Sequence, residues 1–147
     1  MSKKSSPLFL TRGVPGTHDT KILLNCIKSL KKKEFKKMTI PKFNKAIDDR
    51  ESKNKWVKVI KKPKIVIFEG WCVGVAPQQN KDLLKPINEL EKHEDKKKIW
   101  RNRVNLELKN NYKKIFKLID KIIFLKVPNF KHVCKWRLLQ EKKLRIK

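Results

Sequence analysis

Four short segments of this chain hold residue types that can do chemistry. The most pointed is Ile65-Val66-Ile67-Phe68, which runs into Glu69-Gly70-Trp71. An unbroken run of β-branched and aromatic residues reads as a strand buried on both faces, as in a parallel sheet. Ligands of open α/β sheets sit beyond the carboxyl ends of the strands. A carboxylate delivered there, Glu69, can organise Mg²⁺ through water or accept a proton. Acids are otherwise seldom set against buried strands. Cys72 reads as a small packing residue rather than a nucleophile.

Arg12-Gly13-Val14-Pro15-Gly16-Thr17-His18-Asp19 combines glycines, which allow close approach to a ligand, with a polar cluster opening a helix. Free N–H groups at a helix start favour anions. The plainer alternative is a turn closed by a capping residue. Ile40-Pro41-Lys42-Phe43-Asn44-Lys45-Ala46-Ile47-Asp48-Asp49-Arg50 places two acids, an arginine and two lysines within nine residues. They can hold substrate or metal, or form an ordinary salt-bridged loop. Trp136-Arg137-Leu138-Leu139-Gln140-Glu141, followed by Lys142, Lys143 and Arg145, can be a basic lid helix, since arginine grips phosphate bidentately. Arg137 and Glu141 are also spaced for a helix-surface ion pair. His93 and His132 read as surface residues, and Trp56 and Trp100 as packing residues.

The elements that must carry these groups alternate between helix and strand. Thr17 is a reasonable N-cap for a helix whose stripe is Ile22, Leu23, Cys26, Ile27 and Leu30, with Asp19 in its first turn and Lys31 to Lys33 near its end. Met38-Thr39-Ile40 is a short strand stopped by Pro41. Residues 42 to 55 look loop-like, and Val57, Val59 and Ile60 are ambiguous. Residues 72 to 86 read as loop. Residues 87 to 118 read as helix, interrupted near 91 to 98, with Leu106, Leu108, Tyr112, Ile115, Phe116 and Ile119 facing inward. Ile122-Ile123-Phe124-Leu125-Lys126-Val127 is a second buried strand ended by Pro128. A last helix starts near 129, with Phe130, Val133, Cys134 and Leu138 on one face. This is α/β order.

Composition bounds the possibilities. The chain has 147 residues, enough for one domain, and a formal net charge of +26. Such a charge can drive nucleic-acid binding through counterion release. The lysines, 34 against only 6 arginines, are spread along the whole chain, beside 14 Ile and 10 Asn but 2 Ala. That pattern is what an AT-rich genome supplies, and arginine, the preferred reader of bases and phosphates, is scarce. Nucleic acid is therefore expected to bind only non-specifically, through net charge. Cys26, Cys72 and Cys134 form no CxxC pair, which fits a reducing cytoplasm. Leu8-Phe9-Leu10 is too short for a secretory signal, and no run approaches the roughly 18 apolar residues of a membrane span.

Taken in order, the four segments resemble the glycerate kinase-like P-loop kinases: the D-glycerate 3-kinases and their bacterial kinase-like relatives, with uridine kinase, pantothenate kinase and phosphoribulokinase more distant. The resemblance covers the chain from about residue 8, and Pro86-Ile87-Asn88, Leu90-Glu91 and Trp100-Arg101 look like the bacterial branch. It implies transfer of a phosphoryl group from ATP, with Mg²⁺, to a hydroxyl of a small glycerate-like acid, work done by positioning and charge neutralisation. By position, Glu69 looks like the Walker B-type acid, near the metal through water and with no direct protein ligand to it. Asp19 looks like the candidate base within a substrate-side cluster with Arg12, Thr17 and His18. Lys45, Asp49 and Arg50 look like the substrate and phosphate loop, and Arg137 like the lid arginine.

Two departures stand out. The family's loop usually reads Phe/Tyr-Asp-Lys, and Asn44 stands where that Asp is expected. No G-x-x-x-x-G-K-[ST] phosphate loop is present, and the chain has only four glycines. The resemblance therefore implies a partial P-loop NTPase three-layer fold. Residues 1 to 147 would be the central part of a single kinase domain truncated at both ends, with 1 to 11 irregular. In the expected strand order 2-3-1-4-5, the strand at 65 to 69 is the third and that at 122 to 127 the fourth. The first, which belongs between them, is missing. Two apolar strands are then expected to show unpaired edges, and the chain to be marginally stable and to bind ATP poorly. The expected function is an ATP-dependent small-molecule kinase or an inactive fragment of one. The alternative is a basic nucleic-acid-binding protein without catalysis.

Overall fold

The computed structural model describes residues 6–10, 12–44 and 46–145. A short 3₁₀ turn, Pro7–Phe9, leads through the glycine-containing loop to helix α1, Thr20–Lys31. Its N-cap is Asp19, whose Oδ1 accepts the Ile22 N–H at 3.0 Å. Thr17, the expected cap, instead closes the loop before it. Its Oγ1 accepts from the Gly13 N–H at 2.9 Å and donates to the Val14 carbonyl at 2.7 Å. Ile27 and Leu30 are the buried end of the apolar stripe, and Lys28 and Lys31 sit at the negative pole of the helix.

Four short strands follow: β1 (Met38–Ile40), β2 (Phe43–Asn44), β3 (Asp49–Arg50) and β4 (Val57–Val59). β1 pairs antiparallel with β4, Thr39 opposite Lys58, and β2 pairs antiparallel with β3, Phe43 opposite Arg50. The stretch expected to be a loop is thus a hairpin nested inside a ribbon. Asp48 makes its turn at φ 49°, a conformation Asp tolerates better than most residues.

The helical half comprises α2 (Glu89–Glu94), α3 (Ile99–Glu107), a π-helical turn (Leu108–Tyr112) and α4 (Lys113–Phe116), the last three continuous. α1 packs against α4 and the π turn. Tyr112 and Leu108 enclose Cys72, with Phe116 packed against them, and Ile115 is fully buried. A polar cluster holds α2 to α3. Arg101 Nε donates to the Leu83 carbonyl at 2.9 Å, and its Nη1 meets Glu91 at 3.4 Å and Asp95 at 3.8 Å. Asp95 also accepts the Trp100 and Arg101 N–H groups at 2.9 and 3.1 Å, capping α3. The Asn105 amide clasps both backbone groups of Gln78, at 2.7 and 3.0 Å, and so ties the long loop after Gly74 to α3.

The two apolar runs differ from expectation. Residues 65–69 and 122–127 are not strands, and no parallel sheet forms among the described residues. Ile67 is 87% exposed, Ile123 86% and Leu125 84%. Among the described residues no backbone–backbone hydrogen bond reaches 61–69 or 120–128. A strand needs a lateral partner for every N–H and C=O, and the four strands present are spent on each other. The second run does touch the turn that follows the first: a side chain on Gly74, itself at φ 80°, would lie 3.2 Å from Ile122 Cδ1.

The last helix, α5 (Phe130–Arg145), stands apart. Its expected apolar face is open to solvent, with Phe130 77% and Leu138 62% exposed, and Cys134 is also exposed. A covering lid helix is therefore not what this conformation contains. No helix among the described residues is long and apolar enough to cross a membrane.

Candidate active site

A cleft of about 1260 Å³ opens between the loop before α1, the β2–β3 hairpin, the Phe68–Val73 turn and α3. Three of the four chemical segments meet there. Arg12, Thr17, His18 and Asp19 come from the first, Asp48, Asp49 and Arg50 from the second, and Glu69 from the third. Arg137 does not reach it. That side chain is 69% exposed on α5, paired with Glu141 at 2.8 Å and bonded to Gln140 at 3.0 Å, the surface ion pair its spacing allowed. Lys45 lies outside the described residues.

The hairpin presents its charges through local hydrogen bonds. Asn44 Oδ1 accepts the Ala46 N–H at 2.9 Å, which turns its amide nitrogen toward Glu51, 3.0 Å away. The Glu51 N–H donates to the Lys42 carbonyl at 2.8 Å, and its carbonyl accepts the Trp56 indole at 2.8 Å. Asp49 Oδ1 accepts the Arg50 N–H at 2.7 Å. Arg50 then reaches across the cleft to Asp19 Oδ2 at 3.2 Å, so one Asp19 oxygen caps α1 and the other faces a guanidinium. The Arg12 guanidinium stacks over the Phe43 ring at 4.0 Å, and among the described residues it makes no ion pair. It is a cation held by an aromatic face.

Glu69 is exposed at the cleft wall. A turn, with the Val73 N–H on the Gly70 carbonyl at 3.3 Å, sends Cys72 into the core. Glu69 and the 72% exposed Trp71 are thereby left at the rim. Burial pushes the Cys72 thiol up, against thiolate chemistry, which agrees with a packing role.

His18 is half-buried, and its Nδ1 bonds the hydroxyl of Tyr112, which is 3% exposed. Burial first, and then the charge of Arg12, push the His18 pKa down. Burial and the neighbouring Cys72 push the Tyr112 phenol well up. His18 is thus neutral and Tyr112 protonated near neutral pH.

Sequence reasoning treated Tyr112 only as the inward side of a helix and passed over Arg103. Arg103 joins the cleft lining from α3 while pairing with the buried Glu107 at 2.8 Å. Tyr112 is the only tyrosine of the chain, and a buried phenol needs a hydrogen-bond partner; that was the available signal. Arg103 carried none, being one charge among many on a polar helix.

The fit to Mg²⁺ and ATP is uneven. No group of three His, Cys, Asp or Glu among the described residues can hold a metal. A carboxylate such as Glu69 suits a hydrated Mg²⁺ shared with phosphate oxygens. At the start of α1 the Ile22 N–H is taken by Asp19, whose carboxylate opposes a phosphate there.

No family model and no solved structure matches the chain. Two curated relatives do. One, an uncharacterised kinase of Schizosaccharomyces pombe named mug58, is 31% identical over 147 aligned residues, 96% of this chain and 52% of the relative. The other, a chloroplastic D-glycerate 3-kinase of Arabidopsis thaliana, is 30% identical over 149, 95% of this chain and 30% of the relative. The chain spans about half the length of the first and under a third of the second. Over nearly its whole length it is a homologue of kinases, and the two matches support the resemblance to the glycerate kinase-like family.

Proposed function

We propose that this chain carries the acceptor-binding side of a small-molecule kinase, one that transfers a phosphoryl group from ATP to a hydroxyl of a glycerate-like acid. The observation that carries this reading is the convergence of Arg12, His18, Asp19, Arg50 and Glu69 on one cleft, in a homologue of a D-glycerate 3-kinase. The homology also supports a P-loop type of architecture. Arg12 and Arg50 suit the carboxylate of a small acid, since a guanidinium forks onto carboxylates. Asp19, fixed by α1 and Arg50, is positioned to accept the proton of the acceptor hydroxyl. Lys45, Asp49 and Thr17 would complete the acceptor loop. When bound, ATP would supply the phosphoryl group, and Mg²⁺, near Glu69, would neutralise its charge. Arg137 would act only if α5 moved over the cleft.

No Walker A motif occurs in the sequence. Calorimetric titration of the chain with D-glycerate and, separately, with Mg-ATP tests the reading. Saturable D-glycerate binding that is lost in Arg50→Ala, with weak Mg-ATP binding, is expected. Absent D-glycerate binding, or binding indifferent to Arg50, would refute it.

A further inference from the structure

The His18 ring bridges the cleft and the core. One nitrogen is tied to a phenol at the end of a π-helical turn, and the ring lines the cleft. π-turns inside helices occur frequently at functional sites. Here the turn brings Tyr112 beneath the loop that carries His18, and Phe116 meets the phenol ring edge-on with centroids 5.8 Å apart. The phenol therefore has little freedom. Besides His18, the groups that act on it are the Gly16 backbone, the Cys72 thiol, the Glu107 carboxylate and the Arg12 guanidinium. Glu107 already accepts from Asn111 at 2.6 Å and from Arg103 at 2.8 Å. Among the described residues, the phenolic proton has one acceptor in hydrogen-bonding contact, His18 Nδ1.

We propose that Tyr112 is a positioning residue that fixes His18 as its Nε2–H tautomer, so that the imidazole meets a ligand in the cleft as a neutral hydrogen-bond donor and not as a proton acceptor. The tautomer follows from the hydrogen bond the other nitrogen makes. If Tyr112 O–H donates to Nδ1, the ring proton must sit on Nε2, which has no hydrogen-bond partner among the described residues. A neutral N–H suits an anionic ligand, because it donates without adding a charge that must be neutralised. This deepens the acceptor-site reading and rests on it only for the identity of the ligand. It also leaves the base role to a carboxylate, since a proton already occupies the free nitrogen of His18.

Long-range ¹H–¹⁵N correlation spectra of the whole chain, labelled at histidine and recorded above the ordinary imidazole range, read the tautomer directly. The His18 signals are identified by their loss in His18→Gln. The expected result is an unprotonated Nδ1 and a protonated Nε2 at His18, with a mixture of both tautomers in Tyr112→Phe. A protonated Nδ1 in the native chain, or an unchanged tautomer in Tyr112→Phe, would overturn the inference; the first needs no variant to fold. Titrating in D-glycerate separates the two ideas. A shift of the His18 Nε2–H signal supports both. The expected tautomer with no response to D-glycerate supports the role of Tyr112 and counts against the acceptor reading.

Discussion

At the scale of single residues, charge is arranged by hydrogen bonds that only the present side chains can make. Asn44 is the clearest case. Its oxygen is committed to the Ala46 N–H, so its nitrogen must face Glu51. A carboxylate there would oppose a second carboxylate, and leaving partly buried polar groups badly matched costs about 1–3 kcal/mol. Asn44→Asp is therefore expected to lower the unfolding free energy in denaturant titrations. The departure from the Phe/Tyr-Asp-Lys pattern thus has a local structural account. His18 gives a second expectation. Its folded pKa lies below the ordinary 6.5, so the unfolded chain binds more protons between the two values. Stability then rises with pH across that window and is complete above 6.5, and acidification through the window removes it. His18→Gln should remove this share of the slope in melts recorded at stepped pH. The types and spacing of residues at 12–19, 48–50 and 69 made the cleft legible, because loops beside glycines and helix starts are where ligands gather. What they could not give was the Asp19–Arg50 bridge, which joins positions 31 residues apart.

At the scale of elements, stripes and breakers were readable and partners were not. The α1 stripe and the helical segments at 89–116 follow from apolar spacing and polar interruptions. The hairpin at 43–50 was hidden because its residues are polar and its strands only two residues long. The runs at 65–69 and 122–127 have strand composition, but composition cannot supply a neighbour to pair with. Their exposed aliphatics are a template for association with other chains. The double variant Ile67→Lys/Phe124→Lys should reduce concentration-dependent self-association in sedimentation experiments without lowering helix content by circular dichroism. The Glu91–Arg101–Asp95 cluster carries the opposite expectation. Its members are buried, so Arg101→Ala would strand two carboxylates. Breaking a buried pair in this way costs about 3–5 kcal/mol, to be read as a drop in the thermal midpoint. Pro86-Ile87-Asn88 and Leu90-Glu91, which contributed to the family resemblance, surround this cluster: Asn88 caps α2, and Glu91 accepts the Ile87 N–H at 3.1 Å. Part of that resemblance is therefore structural.

At the scale of the molecule, the helical half and the ribbon meet at a cleft whose walls carry both signs of charge, while lysines are spread along the whole chain. Net charge acts on solubility and non-specific association, and a cleft acts by geometry, so the two can be separated by salt and by residue. The kinase reading needs the acid acceptor to settle beside Arg12, His18 and Arg50. The alternative built on the +26 charge needs anions to gather wherever lysines do. Chemical-shift mapping of ¹⁵N-labelled chain during a D-glycerate titration at physiological salt decides between them most directly. The expected result is saturable shifts confined to the amides around 12–19, 48–50 and 69–73. Shifts spread over α5 and the lysine-rich surface that vanish as salt is raised, with the cleft silent, would contradict it.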